Sequence, residues 1–301
     1  MALLDAGNAL FHVEGVDDAL SETRAKLVLQ TMGKLGTQAM VASSRDLNAG
    51  TKFLKTEAAK AKLKVLSANL RENDQPVFDG SAIVTVGSVK LGVVGLSAPG
   101  PVSNHPELKG IELAPAARTE LEKLKGKVDL LVLLVSAHTA DAMKLAQDLK
   151  DVAPDVIIQS GEARGGLAPQ LLDSGSWLVG AGQKGQALGK LELKLDGKGP
   201  FHDLGEQKRE QESLSHLDSQ LKQLDERKAK ITDPKVMEQF NKTYSDVKAR
   251  RDEQKTRASA SLAPDARTLN LEWLVLDQTV PDDPAIKAEV LKVDPAYAGS
   301  H

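Results

Sequence analysis

Apolar and polar positions follow two periods along most of the chain. Short apolar runs at Leu3 to Ala6, Ala39 to Ala42, Lys64 to Ala68 and Asp155 to Gln159 read as strands. Asp129 to Val135 is continuously apolar after its first residue, the pattern of a strand covered on both faces. Between these runs the period lengthens to that of a helix. Residues 19–35 carry Leu20, Ala25, Leu27, Val28 and Met32 on one face and are closed by Gly33 and Gly36. Thr51 to Ala61, Pro115 to Leu124 and Ala140 to Lys150 are further predicted helices. Ala82 to Val86 and Val89 to Leu96, joined by Gly87-Ser88, predict a hairpin, and Trp177 to Ala181 with Gln186 to Leu195 a second one. Strands that alternate with helices early and pair later predict an α/β fold of mixed layers rather than a doubly wound sheet.

The stretch from about Glu206 to Ser261 differs in kind, being polar and almost free of glycine. Leu214, Leu217, Leu221 and Leu224 keep the 3-4-3 spacing of a helix seam, and Met237, Phe240, Tyr244 and Val247 repeat it. Thr232-Asp233-Pro234 ends one helix and starts the next, with Asp233 as N-cap and Pro234 at the first helical position. The prediction is an antiparallel helical hairpin over 205–262. It divides a core of 1–204 from a return strand, Leu269 to Leu276, and a final helix capped by Asp283-Pro284, within 263–301.

Composition narrows the function. A net charge of −3 argues against a surface that binds nucleic acid non-specifically. With no cysteine there is no disulfide, thiolate metal site or cysteine nucleophile. No apolar run is long enough to cross a membrane as a helix. Met1-Ala2 lead straight into a strand, so no signal peptide is visible in this chain. Aromatics make up 3%, so the core is expected to be built from Leu, Val, Ile and Ala.

Several segments carry a recognisable order. Leu4-Asp5-Ala6-Gly7-Asn8 opens the chain, Gly36 to Gly50 holds Ser43-Ser44-Arg45-Asp46, and Ser67-Ala68-Asn69 follows. Val89 to Leu96, Asp129 to His138 and Asp155 to Arg164 come next, and then Ala181-Gly182-Gln183-Lys184-Gly185 with Gly189. In this order and spacing the chain resembles the 5'-nucleotidase branch of the calcineurin-like metallophosphoesterases. The resemblance implies a four-layer α/β/β/α sandwich, here with the helical hairpin inserted. It also implies a two-metal hydrolysis of phosphate esters, in which carboxylates and neutral imidazoles at strand ends hold two divalent ions.

The residues those ions need are replaced. The family's first motif, Asp-x-His, would lie on a strand before residue 1. The bridging Asp is Asn8, the Asn-His pair is Ser44-Arg45, and Gly-His-x-His is Gly161-Glu162-Ala163-Arg164. Strict spacing puts Ser136 at the fourth-motif His, with His138 two residues on. A guanidinium cannot deprotonate and repels a cation. Asp46, His138 and Glu162 remain as conceivable ligands, too few for a catalytic pair. The vestigial positions are therefore Asn8, Ser44, Arg45, Asp46, Ser136, His138, Glu162 and Arg164.

Simpler readings stand beside these. Asn8 suits a left-handed turn position. Arg45-Asp46 reads as a local ion pair, His138 as a surface or helix-start residue, and Glu162-Ala163-Arg164 as a solvated loop or a salt bridge to the neighbourhood of Arg45. Gly165-Gly166 reads as turn hardware.

Three functions compete. One is a pseudoenzyme used for binding or scaffolding, without a cofactor, whose hairpin 205–262 docks a protein partner or self-associates. Another is a Mn- or Zn-dependent phosphoric ester hydrolase acting on nucleotides or related esters, completed by residues outside this chain. The third binds phosphate or nucleotide without turnover, with Arg45 and Arg164 standing in for the two cations. Family resemblance implies a periplasmic or other extracytoplasmic home, with the cytoplasm as the alternative.

Overall fold

The computed structural model describes residues 1–12, 19–162, 167–180, 182, 185–228, 231–259 and 262–295. The chain divides into two compact units, residues 1–189 with 273–301, and residues 190–272.

In the first unit the chain runs β1 (Leu3–Asp5), α1 (Ala19–Leu35), β2 (Thr37–Val41), α2 (Gly50–Lys60) and β3 (Lys64–Leu66). There follow β4 (Leu70–Glu72), β5 (Gln75–Pro76), β6 (Ser81–Val86), β7 (Val89–Leu96), β8 (Gly100–Val102) and β9 (His105–Gly110). Then come α3 (Leu113–Leu124), β10 (Leu130–Ser136), α4 (Thr139–Asp148), β11 (Val156–Ser160), β12 (Gln170–Leu171) and β13 (Trp177–Gly180). β1-β2-β3 form a parallel sheet, and β12-β13-β11-β10-β7-β6 a larger one whose four central strands are parallel. β5-β4-β9-β8 make a small antiparallel sheet.

The layers follow from which residues each element buries. Leu113, Ala117, Leu121 and Leu124 recur at helical spacing on α3 and join Ala142 and Leu145 of α4 over Val94, Leu133, Val135 and Ile157. On the other side Ala25 and Leu29 of α1 and Leu54 and Ala58 of α2 cover Met40 and Ala42. Each fully buried leucine contributes roughly 1.5–3 kcal/mol of transfer free energy. Between the helical layers β2 packs across β7 and β10, giving an α/β/β/α sandwich. The two sheets meet closely at Gly95, where an added Cβ would stand 2.6 Å from Leu66 Cβ and 2.8 Å from its carbonyl oxygen. The final helix α7 (Pro284–Val293) is capped by Asp283, whose carboxylate accepts from Ala285 N and Ile286 N, and packs on α1.

The second unit holds β15 (Lys198–Asp203), α5 (Leu204–Lys228), α6 (Pro234–Ala258) and the larger parts of β14 (Ala187–Lys194) and β16 (Ala266–Val275). The strands form a sheet of order β14-β16-β15. Asp218 pairs with Arg251 and Glu210 accepts from Gln254, so α5 and α6 run antiparallel. Asp233 accepts from Lys235 N at the start of α6.

Two expectations need correction. Trp177 to Ala181 and Gln186 to Leu195 do not pair as a hairpin. β13 is a fully buried run that lies parallel to β11, whereas β14 alternates and pairs with β16 in another sheet. On α1, Leu20 points outward at 46% exposure, and Leu29, absent from the predicted face, is fully buried.

A candidate site at the strand ends

The carboxyl ends of strands from both sheets converge, and each delivers a small polar residue. β1 leads into Asp5 to Asn8, β2 into Ser43, β3 into Ser67 and Asn69, and β7 into Ser97; β10 ends on Ser136 and β11 on Ser160. In open α/β sheets this is where ligand sites form.

The loop after β1 turns through two left-handed residues, Gly7 (φ +91°) and Asn8 (φ +69°). Gly7 is needed for space as well as conformation. A Cβ there would lie 3.0 Å from Ser43 Cβ and 3.1 Å from the Val41 carbonyl oxygen. Asn8 fills the left-handed position that asparagine tolerates, as its sequence context predicts.

Asp46 organises this loop. Its carboxylate is fully buried. Oδ1 accepts from Ala9 N and Leu10 N, both at 3.0 Å. Oδ2 accepts from Asn8 N at 2.9 Å, Ser43 N at 3.1 Å and Ser43 Oγ at 2.5 Å. Burial pushes its carboxyl up from the ordinary range, and these hydrogen bonds pull it back. Asp5 accepts from Gly7 N at 2.7 Å. Burial and the neighbouring Asp46 charge push its carboxyl up to about 7. The predicted Arg45–Asp46 ion pair does not form: Asp46 turns inward to backbone donors, and Arg45 is exposed on a 3-10 turn.

Asn8 closes the cluster with its side chain. Nδ2 donates to Ser136 Oγ at 3.0 Å and Ser160 Oγ at 3.1 Å, and Ser160 Oγ donates to Ala6 O at 2.5 Å. A second net lies beside it. Asn69 Nδ2 donates to Ser97 O and Ile111 O, Asn69 Oδ1 accepts from Ser97 N, and Ser97 Oγ donates to Ala42 O. Ser67 Oγ lies 2.7 Å from Ser97 Oγ.

His138 and Glu162 stand apart from this interior. His138 opens α4, its side chain 76% exposed, with Nδ1 2.9 Å from Glu162 Oε1. Glu162 Oε2 accepts from Thr139 Oγ1 at 2.6 Å and from Thr139 N at 3.3 Å, so it caps α4. Those Thr139 bonds, and then His138, hold its carboxyl below the usual range. Glu162 thus meets Thr139 and His138, not the neighbourhood of Arg45. Arg164 and Gly165-Gly166 lie outside the described residues.

The structure therefore brings Asn8, Asp46 and Ser136 together and leaves Arg45, His138 and Glu162 at the surface. Ser44 is half-exposed, and Ser43 makes the contacts in its place. Ser97 and Ser160 carry the network without having been singled out by sequence, and Ser43 was named only within its segment. Ser67 and Asn69 had a signal, the Ser-Ala-Asn segment. The donor set does not fit a two-metal centre. Asn8 turns an N–H₂ group toward two hydroxyls, and Asp46 spends both oxygens on loop donors. Among the described residues no three His, Cys, Asp or Glu side chains are placed to hold one ion.

The fold is that of the calcineurin-like phosphoesterases. The sulfate thiohydrolase SoxB of Thermus thermophilus superposes with a TM-score of 0.55 at 23% identity, covering 64% of this chain and 36% of its own. A 5'-nucleotidase precursor from the same organism gives 0.52 at 24% identity, covering 64% and 42%. The calcineurin-like phosphoesterase YfkN of Bacillus subtilis gives 0.50 at 17% identity, covering 64% and 70%. The chain thus spans less than half the length of the first two. No family model and no curated protein matches the sequence.

Proposed function

We propose that this chain is a phosphoesterase-fold domain without hydrolytic activity, used for binding or scaffolding. The observation that carries the reading is the Asn8 side chain, which donates to Ser136 and Ser160 where the resembling family has a carboxylate bridging two cations. An amide N–H₂ cannot ligate a metal ion, and the neutral hydroxyls it meets cannot balance two positive charges. Asp46 supports the same reading, because both its oxygens already hold the loop together. No cofactor is part of the reading, and the polar helices α5 and α6 are its candidate contact surface for a protein partner. An extracytoplasmic location goes with it, in keeping with a fold neighbour that is a precursor protein. Among the described residues no helix is long and apolar enough to cross a membrane.

Turnover of nucleotides and bis-p-nitrophenyl phosphate with added Mn²⁺ or Zn²⁺ tests the proposal. No metal-dependent hydrolysis above buffer is expected. Hydrolysis that disappears in Asp46→Ala while the fold persists would return the chain to the hydrolases.

A second reading, anion binding without turnover, draws on Arg45. It is exposed, and among the described residues no ion pair neutralises it. Calorimetry with inorganic phosphate and with nucleotides tests that reading. An Arg45→Gln variant should abolish any heat, and absence of heat at millimolar ligand would end it.

A further inference from the structure

The sheet of the second unit has two unlike edges. β15 is blunted by Pro200 and by a break in register between Lys198 and Phe201. β14 has no proline, extends over Ala187–Lys194, and among the described residues has β16 as its one hydrogen-bonded neighbour. It is mostly exposed and alternates in pattern. Such an edge is a template for another strand unless its side chains prevent pairing.

Its register fixes which backbone groups are free. Leu276 N donates to Gln186 O, and Lys190 pairs with Glu272 across the strands, so the two strands are antiparallel with even-numbered β14 residues bonded to β16. The odd residues, Gly189, Leu191 and Leu193, turn their N–H and C=O groups to the open side. A two-fold axis at Leu191 would make it a hydrogen-bonded pair with itself. Lys190 of one copy would then lie opposite Glu192 of the other, twice, at non-hydrogen-bonded positions where side chains come closest. In the single chain Lys190 already reaches for Glu192 of its own strand, at 2.6 Å. Lysine on an edge normally repels foreign strands, and this pattern neutralises it against a second copy of itself.

We propose that β14 pairs antiparallel with β14 of a second copy about a two-fold axis at Leu191, joining two three-stranded sheets into one of six strands. The interface is isologous, and Lys190 and Glu192 set both its partner and its register.

The chain has no cysteine, so a single substitution gives an unambiguous probe. In a hydrogen-bonded antiparallel pair the two Cα atoms stand ~5.5 Å apart, within disulfide range. Leu191→Cys in this chain is expected to form an intermolecular disulfide under mild oxidation. Leu193→Cys, set opposite Gly189 of the other copy, is expected to stay largely without the disulfide. Sedimentation velocity on the cysteine-free chain should show a concentration-dependent dimer, lost in Lys190→Glu and in Glu192→Lys and regained in K190E/E192K, with circular dichroism confirming each fold. A monomer at all concentrations would overturn the proposal. So would a dimer unaffected by either charge reversal, or equal cross-linking at the two cysteine positions.

Discussion

Asp46 and His138 both lie at strand ends of the same cluster, and both were candidate ligands, yet their surroundings differ in every physical respect. Asp46 is fully buried and accepts five hydrogen bonds, four of them from backbone N–H groups. His138 is mostly exposed, and its Nδ1 meets Glu162, itself partly exposed. The interior of this cluster is held by neutral and saturated groups, while Arg45, His138 and Glu162 sit at the surface. Of the three conceivable ligands Asp46 is thus committed to the fold while His138 and Glu162 are not, and with Asp46 the plain Ser and Asn residues hold the strand ends together.

Breaking the buried side should cost most. Asp46→Asn replaces an acceptor-only carboxylate with a group that must turn N–H₂ toward backbone donors. The expected loss is about 3 kcal/mol or more in urea-induced unfolding, as for other buried networks stripped of an acceptor.

Asp5→Asn should act in the opposite direction. The Asp5 carboxyl is raised from 3.8 to about 7 in the folded chain, so folding binds a proton between those values. Its contribution is fully present below about pH 4 and is lost as pH rises through 7. Asn keeps the oxygen that accepts from Gly7 N but never ionises. The variant is expected to be more stable than the parent above pH 7, and its stability should vary less between pH 4 and 7. Parallel pH-stability curves for the two proteins would show that Asp5 is ordinary.

Asn8→Gly isolates the amide, because glycine accepts the left-handed backbone without strain. Loss of the bonds to Ser136 and Ser160 should cost about 1–2 kcal/mol. His138→Ala should change stability by no more than about 0.5 kcal/mol, as exposed ion pairs do. A larger loss there than at Asn8 would reverse the contrast between interior and rim.

The main strands and helices of the sandwich were legible because each buries an apolar face with a clear period, as in Leu130–Ser136 and Leu113–Leu124. The small sheet β5-β4-β9-β8 was not, since its strands are short and mixed, with Gln75-Pro76 and His105–Gly110 carrying no period. The second hairpin was misread because adjacency in sequence is a weak guide once buried strands compete for parallel partners. Within the site, Asn8 and Asp46 were legible from motif order. Ser160 was not: its hydroxyl bonds Asn8 and Ala6, more than 150 positions away in the chain, and a serine at a strand end has no periodic signature. The inward turn of Asp46, away from Arg45, depends on the loop after β1 and so could not be read locally.

The most direct measurement is metal content after incubation with Mn²⁺ and Zn²⁺ followed by exhaustive desalting. A strand-end cluster closed by Asn8, Ser136, Ser160 and Asp46 should retain no stoichiometric metal. Two equivalents per chain would contradict it, since those residues would then have to open into a ligand set that their present hydrogen bonds exclude.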